Sequence, residues 1–442
     1  MIDAKTSRYV SPKLLKVAER AKRDPKARLL ALAHIIDTEM LKAAYDRIRK
    51  DAAVGVDGVT KESYGEKLEE NLRGLHERMK AGKYRHQSIR RVHIPKAPGK
   101  TRPIGISAVE DKVVQNALTT VLETIYEQDF LSCSYGFRPG RGAHDALRAL
   151  DAAGMRGGIS WVLEADIQSF FDSLDRTRLM EMLRLRIADE SFMRLVGKCL
   201  HVGVLDGAKY SEPEVGTVQG STLSPILGNV YLHHVLDLWF HGEVKPALKG
   251  RAQLIRYADD FIIGFERQDD AEMVQGMVHE RMAQFGLSLH PDKTGLVPFR
   301  RPPPWQSNGK GGTTFDFLGF TILWCKTRRD FWAVSFRTRK ARFQKAAQAI
   351  TDYCRSQRHR PVKEQHAALC RRMRGHFNYF GVNGNVGGLI RLVRAVEKAW
   401  LKWLRRRSQR TRLTWTRYKA LLKAYPLPRP RVKIQLWASR TT

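Results

Sequence analysis

The sequence has few cysteines and no cysteine-based motif. Its five cysteines are an odd number without a C-x-x-C pair: Cys133, Cys199, Cys325, Cys354 and Cys370. Disulfide scaffolds need paired cysteines, and thiolate zinc sites need closely spaced ones. The pattern argues against both and indicates a reducing compartment.

Long apolar runs are also missing. No stretch of the 442 residues approaches the ~18 apolar residues that a membrane span needs. The N-terminal sequence MIDAKTSRYVSPKLLK lacks the apolar core of a secretory signal. The length allows about two to four domains with a large core.

Acidic residues are scarce near the C-terminus. From residue 331 onwards, 28 Lys and Arg stand against three acidic residues, a net charge of +25 out of +33 for the whole chain. A solvated face normally mixes both signs, so this excess predicts a polyanionic partner. Membrane headgroups compete with nucleic acid here, because Trp400, Trp403 and Tyr418 suit either surface. The pattern favours nucleic acid.

Helical periodicity covers both ends of the chain, and strand patterns occupy its centre. Residues 90–106 alternate in strand-like fashion on both sides of a Pro/Gly turn at 98–99, which predicts a β-hairpin. The strictly alternating segment WVLEADI at 161–167 predicts a strand. FDFLGFTILW and FWAVSF predict a second hairpin, preceded by a loop at 300–314. We therefore predict an α+β fold in three parts: a helical N-terminal extension (1–80), a mixed region (81–330) and a basic helical block (331–442).

The stretch LIRYADDFIIGF places two carboxylates, Asp259 and Asp260, between apolar residues. Isolated charges are costly in an apolar interior, and neighbouring carboxylates repel one another. A tight turn is one explanation, because Asp is frequent in turns. A divalent-cation site at the tip of a hairpin is the other. This stretch alone favours the turn.

A distant carboxylate changes that balance. The strand WVLEADI carries Val162, Glu164 and Asp166 on one face, and Asp166 lies near its end. If the hairpin pairs beside this strand, three carboxylates converge at one edge of a sheet. Two Mg²⁺ ions roughly 3.5–4 Å apart need such oxygen ligands for phosphoryl transfer.

The motifs together resemble the reverse transcriptases encoded by bacterial group II introns. The resemblance covers most of the chain in the family's order, and it rests on GVDG, RRVHIPKAPGKTRPIGI, CSYGFRPGRGAHDAL, WVLEADIQSFFDSLD, GTVQGSTLSPILGNVYLHHVLD, IRYADDFIIGF, LSLHPDKT, FDFLGF and MRGHFNYFGVNGN. It implies a right-hand polymerase fold, with fingers and palm over 81–330 and a thumb or maturase domain over 331–442.

The resemblance also implies the catalytic residues and the metal ligands. Asp166 and Asp259 correspond to the catalytic carboxylates that hold two Mg²⁺ ions, and Asp260 to a supporting carboxylate. Ile167 corresponds to a further metal ligand, beside Asp166. Oxygen ligands of this kind suit Mg²⁺.

For the nucleotide, the resemblance implies five contacts: Phe171, Gln219, Gly220, Arg102 and Lys96. A ring at position 171 would clash with a 2′-hydroxyl and select deoxynucleotides, although a core position explains a Phe equally well. Gln219 is also compatible with an ordinary turn. The two basic residues lie on the first hairpin and could grip a triphosphate, Arg by a bidentate contact.

For the nucleic acid, the resemblance implies Arg138, Arg141 and Lys293, and the charged tail adds Arg405, Arg406 and Arg407. A Gly/Pro-rich turn explains FRPGRG equally well. Phosphate contacts of basic side chains weaken as salt is added.

The implied function is RNA-directed DNA synthesis, together with binding of intron RNA to assist splicing and mobility. The implied partners are intron RNA or another RNA template, a DNA primer or target, and dNTPs, in the bacterial cytoplasm near nucleoid or RNA and without a membrane. No endonuclease module follows MRGHFNYFGVNGN, so we expect no independent second-strand cleavage. Three alternatives remain: a splicing-only RNA-binding maturase, an RNA-dependent RNA polymerase, and a domesticated enzyme of phage defence or DNA repair.

Overall fold

The computed structural model describes most of the chain. The described residues are 11–97, 99–206, 209–211, 216, 220–306, 310–327, 329–408 and 413–437. All five cysteines are free thiols. Within this part of the chain, no helix is both long and apolar enough to cross a membrane.

The N-terminal segment consists of short helices. Their bounds are α1 Pro12–Arg23, α2 Thr38–Asp46, α3 Lys61–Gly65 and α4 Leu68–Lys80. The side chain of Ser11 accepts a hydrogen bond from the N–H of Leu14, and Asp37 caps α2 in the same way through Met40. α1 ends just before Pro25, which has no N–H to continue a helix.

The N-terminal helices are part of a larger core. Leu41 and Leu75 are buried in the same apolar cluster as residues of the central region. Arg186 adds a polar link, because its guanidinium pairs with Asp129 at 2.7 Å and also donates to the carbonyl oxygen of Ala21 at 3.0 Å. The described part of the predicted extension, from residue 11 to residue 80, therefore packs onto the central region and shares its apolar core.

The predicted first hairpin is confirmed and belongs to a four-stranded sheet. Its strands are β1 Ile89–Ala97, β2 Lys100–Ile106, β4 Val204–Asp206 and β5 Lys209–Ser211, in the order β2-β1-β4-β5. β1 and β2 are antiparallel, and β1 and β4 are parallel.

The central region of the chain also contains eight α-helices between residues 109 and 284 of the described structure. They are α5 Val109–Tyr126, α6 Ala143–Arg156, α7 Phe170–Ser173, α8 Arg176–Arg184, α9 Glu190–Leu200, α10 Ser224–Leu232, α11 Lys245–Ala247 and α12 Gln268–Gln284. After α10 the chain continues in wider, π-helical turns over His233–Asp237 and Phe240–Val244. Such turns shift the side chains that follow them to new directions.

The central sheet is antiparallel. Its strands are β3 Trp161–Asp166, β6 Ala252–Tyr257, β7 Asp260–Phe265 and β8 Gly295–Pro298, in the order β6-β7-β3-β8. On one face of the sheet, Leu163 and Phe261 are buried in the apolar cluster that also contains Leu41 and Leu75, the first core. On the other face, Val162 and Ile262 are buried in a separate apolar cluster, the second core. Both faces are therefore apolar over most of the strand length.

The predicted second hairpin is a three-stranded sheet. β9 Lys310–Phe317, β10 Phe320–Lys326 and β11 Trp332–Thr338 pair in the order β11-β10-β9. Leu318 and Gly319 both have positive φ, 51° and 79°, as a type I′ hairpin turn requires. The prediction of one strand through FDFLGFTILW was wrong because this turn divides it, and the predicted loop at 300–314 is strand from residue 310 onwards.

The C-terminal block is helical as predicted, with α13 Lys340–Ser356, α14 Val362–Phe380, α15 Val386–Arg405 and α16 Trp415–Ala424. Trp400 and Tyr418 are buried in the second core, together with residues of the three-stranded sheet. The predicted boundary at residue 331 falls between β10 and β11, which pair along their whole length. The helical block accordingly begins after β11, near residue 340.

Candidate active site

Three carboxylates meet where β3 and β7 end. The antiparallel ladder pairs Asp166, the last residue of β3, with Asp260, the first residue of β7. Asp259 lies in the two-residue turn that joins β6 to β7. Paired residues in an antiparallel ladder point to the same face of the sheet. The ladder thus brings Asp166 next to carboxylates that lie 93 and 94 residues later in the sequence.

Burial and mutual repulsion disfavour the charges of these carboxylates. Burial raises the pKa of Asp260 to about 7, and the negative charges of Asp166 and Asp259 act in the same direction. Burial also raises the pKa of Asp259, with a further contribution from Asp166, while Arg102 and Lys293 partly oppose the shift. Arg102 and Lys293 therefore offset only part of the cost of ionising these carboxylates.

Lys293 supplies part of the positive charge at the site. Its ammonium group forms an ion pair with Asp166 while its side chain is 56% exposed. Lys293 belongs to a short 3-10 turn, Pro291–Lys293, that follows α12. The family resemblance implies that this residue lies near the primer and the palm, and the structure places it directly against Asp166.

The carboxylates are suitable ligands for Mg²⁺, although the described residues contain no set of three His, Cys, Asp or Glu side chains close enough to form a ready metal cage. Their oxygens are the ligand type that Mg²⁺ prefers. Burial and, after it, the neighbouring negative charges raise the pKa of Asp259 and Asp260, and a bound divalent cation would offset both effects. Ile167 is buried beside Asp166, and with an apolar side chain it could offer only its backbone oxygen.

The residues expected around the nucleotide are partly described. Phe170 is buried in the first core, whereas its neighbour Phe171 is half-buried, with ring centroids 5.2 Å apart. Gly220 has a φ of +110°, and a Cβ atom there would lie 2.5 Å from the carbonyl oxygen of Gly105 in β2. Only glycine allows this close approach between the segment and the first hairpin.

Arg102 faces the carboxylates from the hairpin, and its exposed guanidinium acts on the pKa of both Asp259 and Asp172. Lys96 is part of β1, but its side chain lies outside the described residues. Gln219 lies outside them altogether.

The placement of Arg138 speaks against the predicted nucleic-acid contact. Its side chain is 3% exposed and pairs with Glu127, and its guanidinium also donates to the carbonyl oxygens of Leu131 and Ser134. Arg138 therefore holds its own loop together, as the Gly/Pro-turn explanation anticipates. Arg141 is half-exposed and donates to the carbonyl oxygen of Ser132 at 2.9 Å.

The C-terminal arginines differ from one another. Arg405 and Arg406 are exposed, and the guanidinium of Arg406 lies 5.3 Å from the ring centroid of Trp403. Arg407 is half-buried and donates to the carbonyl oxygens of His359 and Arg360. Arg405 and Arg406 are accessible to a polyanion. Arg405 also has a structural use like that of Arg407, because its Nε donates to the carbonyl oxygen of Leu413 at 2.8 Å.

Sequence reasoning missed part of the site. Glu164 lies two residues before Asp166 on the same face, burial raises its pKa to about 7, and it accepts a hydrogen bond from the N–H of Asp316 at 2.6 Å. Strand alternation in the sequence placed Glu164 on the same face as Asp166, but its contribution to the site was not inferred from that pattern. Arg339 and Arg342 line the same cavity of about 690 Å³ as Asp166 and Asp260. Their arrival from the C-terminal third depends on tertiary packing and left no local signal.

Comparison with known proteins identifies the family of the chain. The profile of the family described as reverse transcriptase (RNA-dependent DNA polymerase) matches residues 94–322. The chain is 33% identical to Protein YkfC of Escherichia coli over 354 residues, which are 71% of this chain and 88% of YkfC. It is 34% identical to the group II intron-encoded protein LtrA of Lactococcus lactis over 203 residues, 46% of this chain and 34% of LtrA.

The chain therefore belongs to the reverse transcriptase family. Within that family it is a group II intron reverse transcriptase/maturase, as the similarity to LtrA indicates. Nuclear intron maturase 1 of Arabidopsis thaliana is also similar, with 31% identity over 91 residues, 21% of this chain and 12% of that protein. The chain spans most of YkfC but only about a third of LtrA.

Replacement of Asp260 should reveal the free-energy cost of ionising this buried carboxylate beside other negative charges. Because the pKa of Asp260 is raised to about 7 in the folded protein, its ionisation destabilises the fold in metal-free buffer. We expect Asp260→Asn to raise the Tm at pH 8. The gain in Tm should shrink as the pH falls from the folded-state pKa of about 7 towards the ordinary Asp pKa of 3.8, and it should disappear below that pH. The measurement is thermal denaturation with a chelator present.

The control for this measurement is Asp46→Asn, which changes an exposed carboxylate remote from the site. It should leave the pH dependence of the Tm unchanged. An Asp260→Asn variant whose Tm follows that of the wild type at every pH would contradict the assigned electrostatics.

Proposed function

We propose that this protein is an RNA-directed DNA polymerase. The observation that carries the proposal is the pairing of Asp166 with Asp260 across the ladder, with Asp259 in the adjoining turn. In the reaction, the primer 3′-hydroxyl attacks the α-phosphate of a dNTP and pyrophosphate leaves. Phosphoryl transfer depends chiefly on positioning and charge neutralisation, and these residues are suited to both.

The proposed metal ligands are Asp166, Asp259, Asp260 and the backbone oxygen of Ile167. Two Mg²⁺ ions, when bound there, would supply the Lewis acidity that lowers the pKa of the attacking hydroxyl and neutralises the leaving oxygen. Lys293, which pairs with Asp166, holds a positive charge at the same carboxylate. Arg102 contributes positive charge from the hairpin and is suited to a triphosphate by its bidentate geometry.

Nucleotide selection is assigned to Phe171. Phe171 lies five residues after Asp166, its ring is half-buried against the first core, and its neighbour Phe170 is buried within that core. Gly220 brings its segment against β2, so the nucleotide would lie between the hairpin and the central sheet. Gln219 and Lys96 remain proposed contacts from the family resemblance.

The nucleic-acid partners are assigned to the basic C-terminal helices. The cavity beside Asp166 is lined by Arg339 and Arg342 at the start of the helical block, a position suited to the phosphates of a template–primer duplex. Arg405 and Arg406 offer exposed charge farther along the block. We assign RNA as the template and DNA as the primer or target.

A second function, binding of intron RNA to assist splicing and mobility, rests on two observations. LtrA is named as intron-encoded and the Arabidopsis relative as an intron maturase. The residues from 331 onwards also carry a net charge of +25, which suits a folded RNA. The three carboxylates at the ladder favour this combined role over a splicing-only protein.

Loss of a catalytic carboxylate should abolish DNA synthesis. We expect Asp259→Ala and Asp166→Ala to lower the rate of primer extension on an RNA template by about 10³-fold or more, because several kcal/mol of transition-state stabilisation depends on the held cations. The measurement is cDNA formation by purified protein with dNTPs and Mg²⁺. Asp46→Ala is the control, and absence of cDNA with the wild-type protein would reject the proposal.

Replacement of the proposed selecting ring should relax sugar discrimination. Phe171→Ala is expected to increase incorporation of rNTPs relative to dNTPs by about 10-fold or more, since removal of a steric clash of a few kcal/mol changes discrimination on that scale. Phe170→Leu changes the neighbouring core ring and should preserve the ratio. An unchanged ratio in the Phe171→Ala variant would refute the steric assignment.

Neutralising the two exposed arginines should weaken nucleic-acid binding. The binding constant K falls as salt is added, so a plot of log K against log salt has a negative slope. For Arg405→Gln combined with Arg406→Gln, this slope should become shallower by up to ~0.7–0.9 for each lost phosphate contact. Binding of a fluorescent RNA–DNA template–primer, measured across a salt series, tests this. Arg184→Gln with Arg194→Gln removes equal charge from exposed positions of α8 and α9, and an equal slope change there would remove the assignment of the two C-terminal arginines.

A further inference from the structure

Arg256 lies three residues before Asp259 and is completely buried beneath the catalytic turn. Its guanidinium and the carboxylate of Asp237 are both 0% exposed. The Nε atom donates to Oδ1 of Asp237 at 2.8 Å, and Nη2 donates to Oδ2. A buried ion pair adds little to stability, because desolvation offsets the attraction between the charges. Stability alone therefore does not explain why this pair lies here.

The remaining nitrogen of Arg256 contacts the turn. Nη1 donates to the carbonyl oxygen of Ala258 at 3.2 Å and to Oδ1 of Asn229 at 3.0 Å. Nδ2 of Asn229 in turn donates to the carbonyl oxygen of Gly136 at 2.8 Å. The backbone of Gly136 packs against the turn so closely that a Cβ atom would lie 2.4 Å from the nitrogen of Ala258. These contacts form a closed ring around the turn.

The turn needs such support because its backbone is strained. Ala258 has a φ of +57°, and a side chain with a Cβ atom is sterically disfavoured in this left-handed region. Strained positions persist only where surrounding contacts hold them. Two contacts hold Ala258, the residue next to Asp259. Arg256 donates a hydrogen bond to its carbonyl oxygen, and the backbone of Gly136 packs against its nitrogen.

The same guanidinium also acts on the catalytic carboxylate. Burial lowers the pKa of Arg256, but the charges of Asp237 and, more weakly, Asp259 raise it above its ordinary value. The guanidinium thus attracts Asp259 from inside the protein. Two backbone hydrogen bonds hold Arg256 in place: its N–H donates to the carbonyl oxygen of Cys133, and its carbonyl oxygen accepts from Tyr135, both at 2.8 Å.

We propose that Arg256, Asp237 and Asn229 are positioning residues for the catalytic turn. Asp237 orients the guanidinium, Asn229 links it to the loop of Gly136, and the guanidinium holds Ala258, so that Asp259 stays beside Asp166. The inference rests on the proposed polymerase activity, since the group being positioned is a reacting carboxylate. None of the three residues contacts substrate in this assignment.

The first test is Asn229→Ala, which breaks the ring without leaving a buried charge unpaired. We expect kcat for dNTP incorporation to fall by at least about tenfold, because small displacements of reacting groups cost up to about 100-fold. The KM for dNTP should change less than twofold, as no nucleotide contact is lost. Hydrogen exchange of the backbone amides at 257–260 should become faster in the same variant.

The matched control is Asn385→Ala in the C-terminal block. Asn385 is as buried as Asn229, and its Nδ2 donates to Oγ1 of Thr338 and to the carbonyl oxygen of Phe380, each at 2.8 Å. Its loss should leave exchange at 257–260 unchanged. Equal exchange at these amides in wild type and Asn229→Ala, with wild-type kcat, would overturn the proposal.

A double variant separates positioning from folding. Arg256→Met with Asp237→Leu replaces the ion pair by apolar side chains, an exchange that often preserves or increases stability. We expect a folded protein with an unchanged or higher Tm, faster exchange at 257–260 and a kcat at least about tenfold lower. Retention of both wild-type exchange and wild-type kcat would show that the pair does not position the turn.

The two proposals fail in distinguishable ways. If wild-type protein makes no cDNA, the polymerase assignment fails, whereas amide exchange at 257–260 still decides whether Arg256 and Asn229 hold the turn. If wild-type protein makes cDNA and both variants match it in kcat and exchange, only the positioning assignment fails.

Discussion

The register between β3 and β7 is the constraint on which the site depends. It sets Asp166 opposite Asp260, although both are acidic and like charges opposite one another destabilise a sheet. A shift of one residue would turn every side chain of β3 to the other face. The apolar side chains of β3 and β7 are buried in two cores, one on each face, and this burial keeps the register despite the repulsion.

Positive charge then reaches the carboxylates from separate segments of the chain. Lys293 pairs with Asp166 from the turn after α12, Arg102 acts on Asp259 from the first hairpin, and Arg256 approaches from inside the protein. These groups offset only part of the cost of the buried carboxylates, since burial and the neighbouring negative charges still raise the pKa of Asp260 to about 7. A site with residual negative charge, open to a cavity lined by arginines, is suited to cations and to the phosphates they accompany.

Local pattern was a good guide to the separate elements. The hairpin at 90–106, the strand that ends at Asp166 and the C-terminal helices all follow from side-chain periodicity, which is a local property. The divided strand around Leu318 was missed because positive φ at a non-glycine residue leaves little trace in composition. The structural role of Arg138 was one of two explanations that the Gly/Pro-rich motif allowed, and only the buried pair with Glu127 distinguishes them.

The sequence by itself determined the residue types at the site, the strand alternation that carries Asp166 and the positive charge of the C-terminal block, because each depends on neighbours along the chain. Tertiary structure decided which residues share one location. The pairing of Asp166 with Asp260, the contact of Lys293 with Asp166 and the ring around Ala258 join segments far apart in the chain. Such contacts arise from packing of whole elements, and no local pattern of residues encodes them.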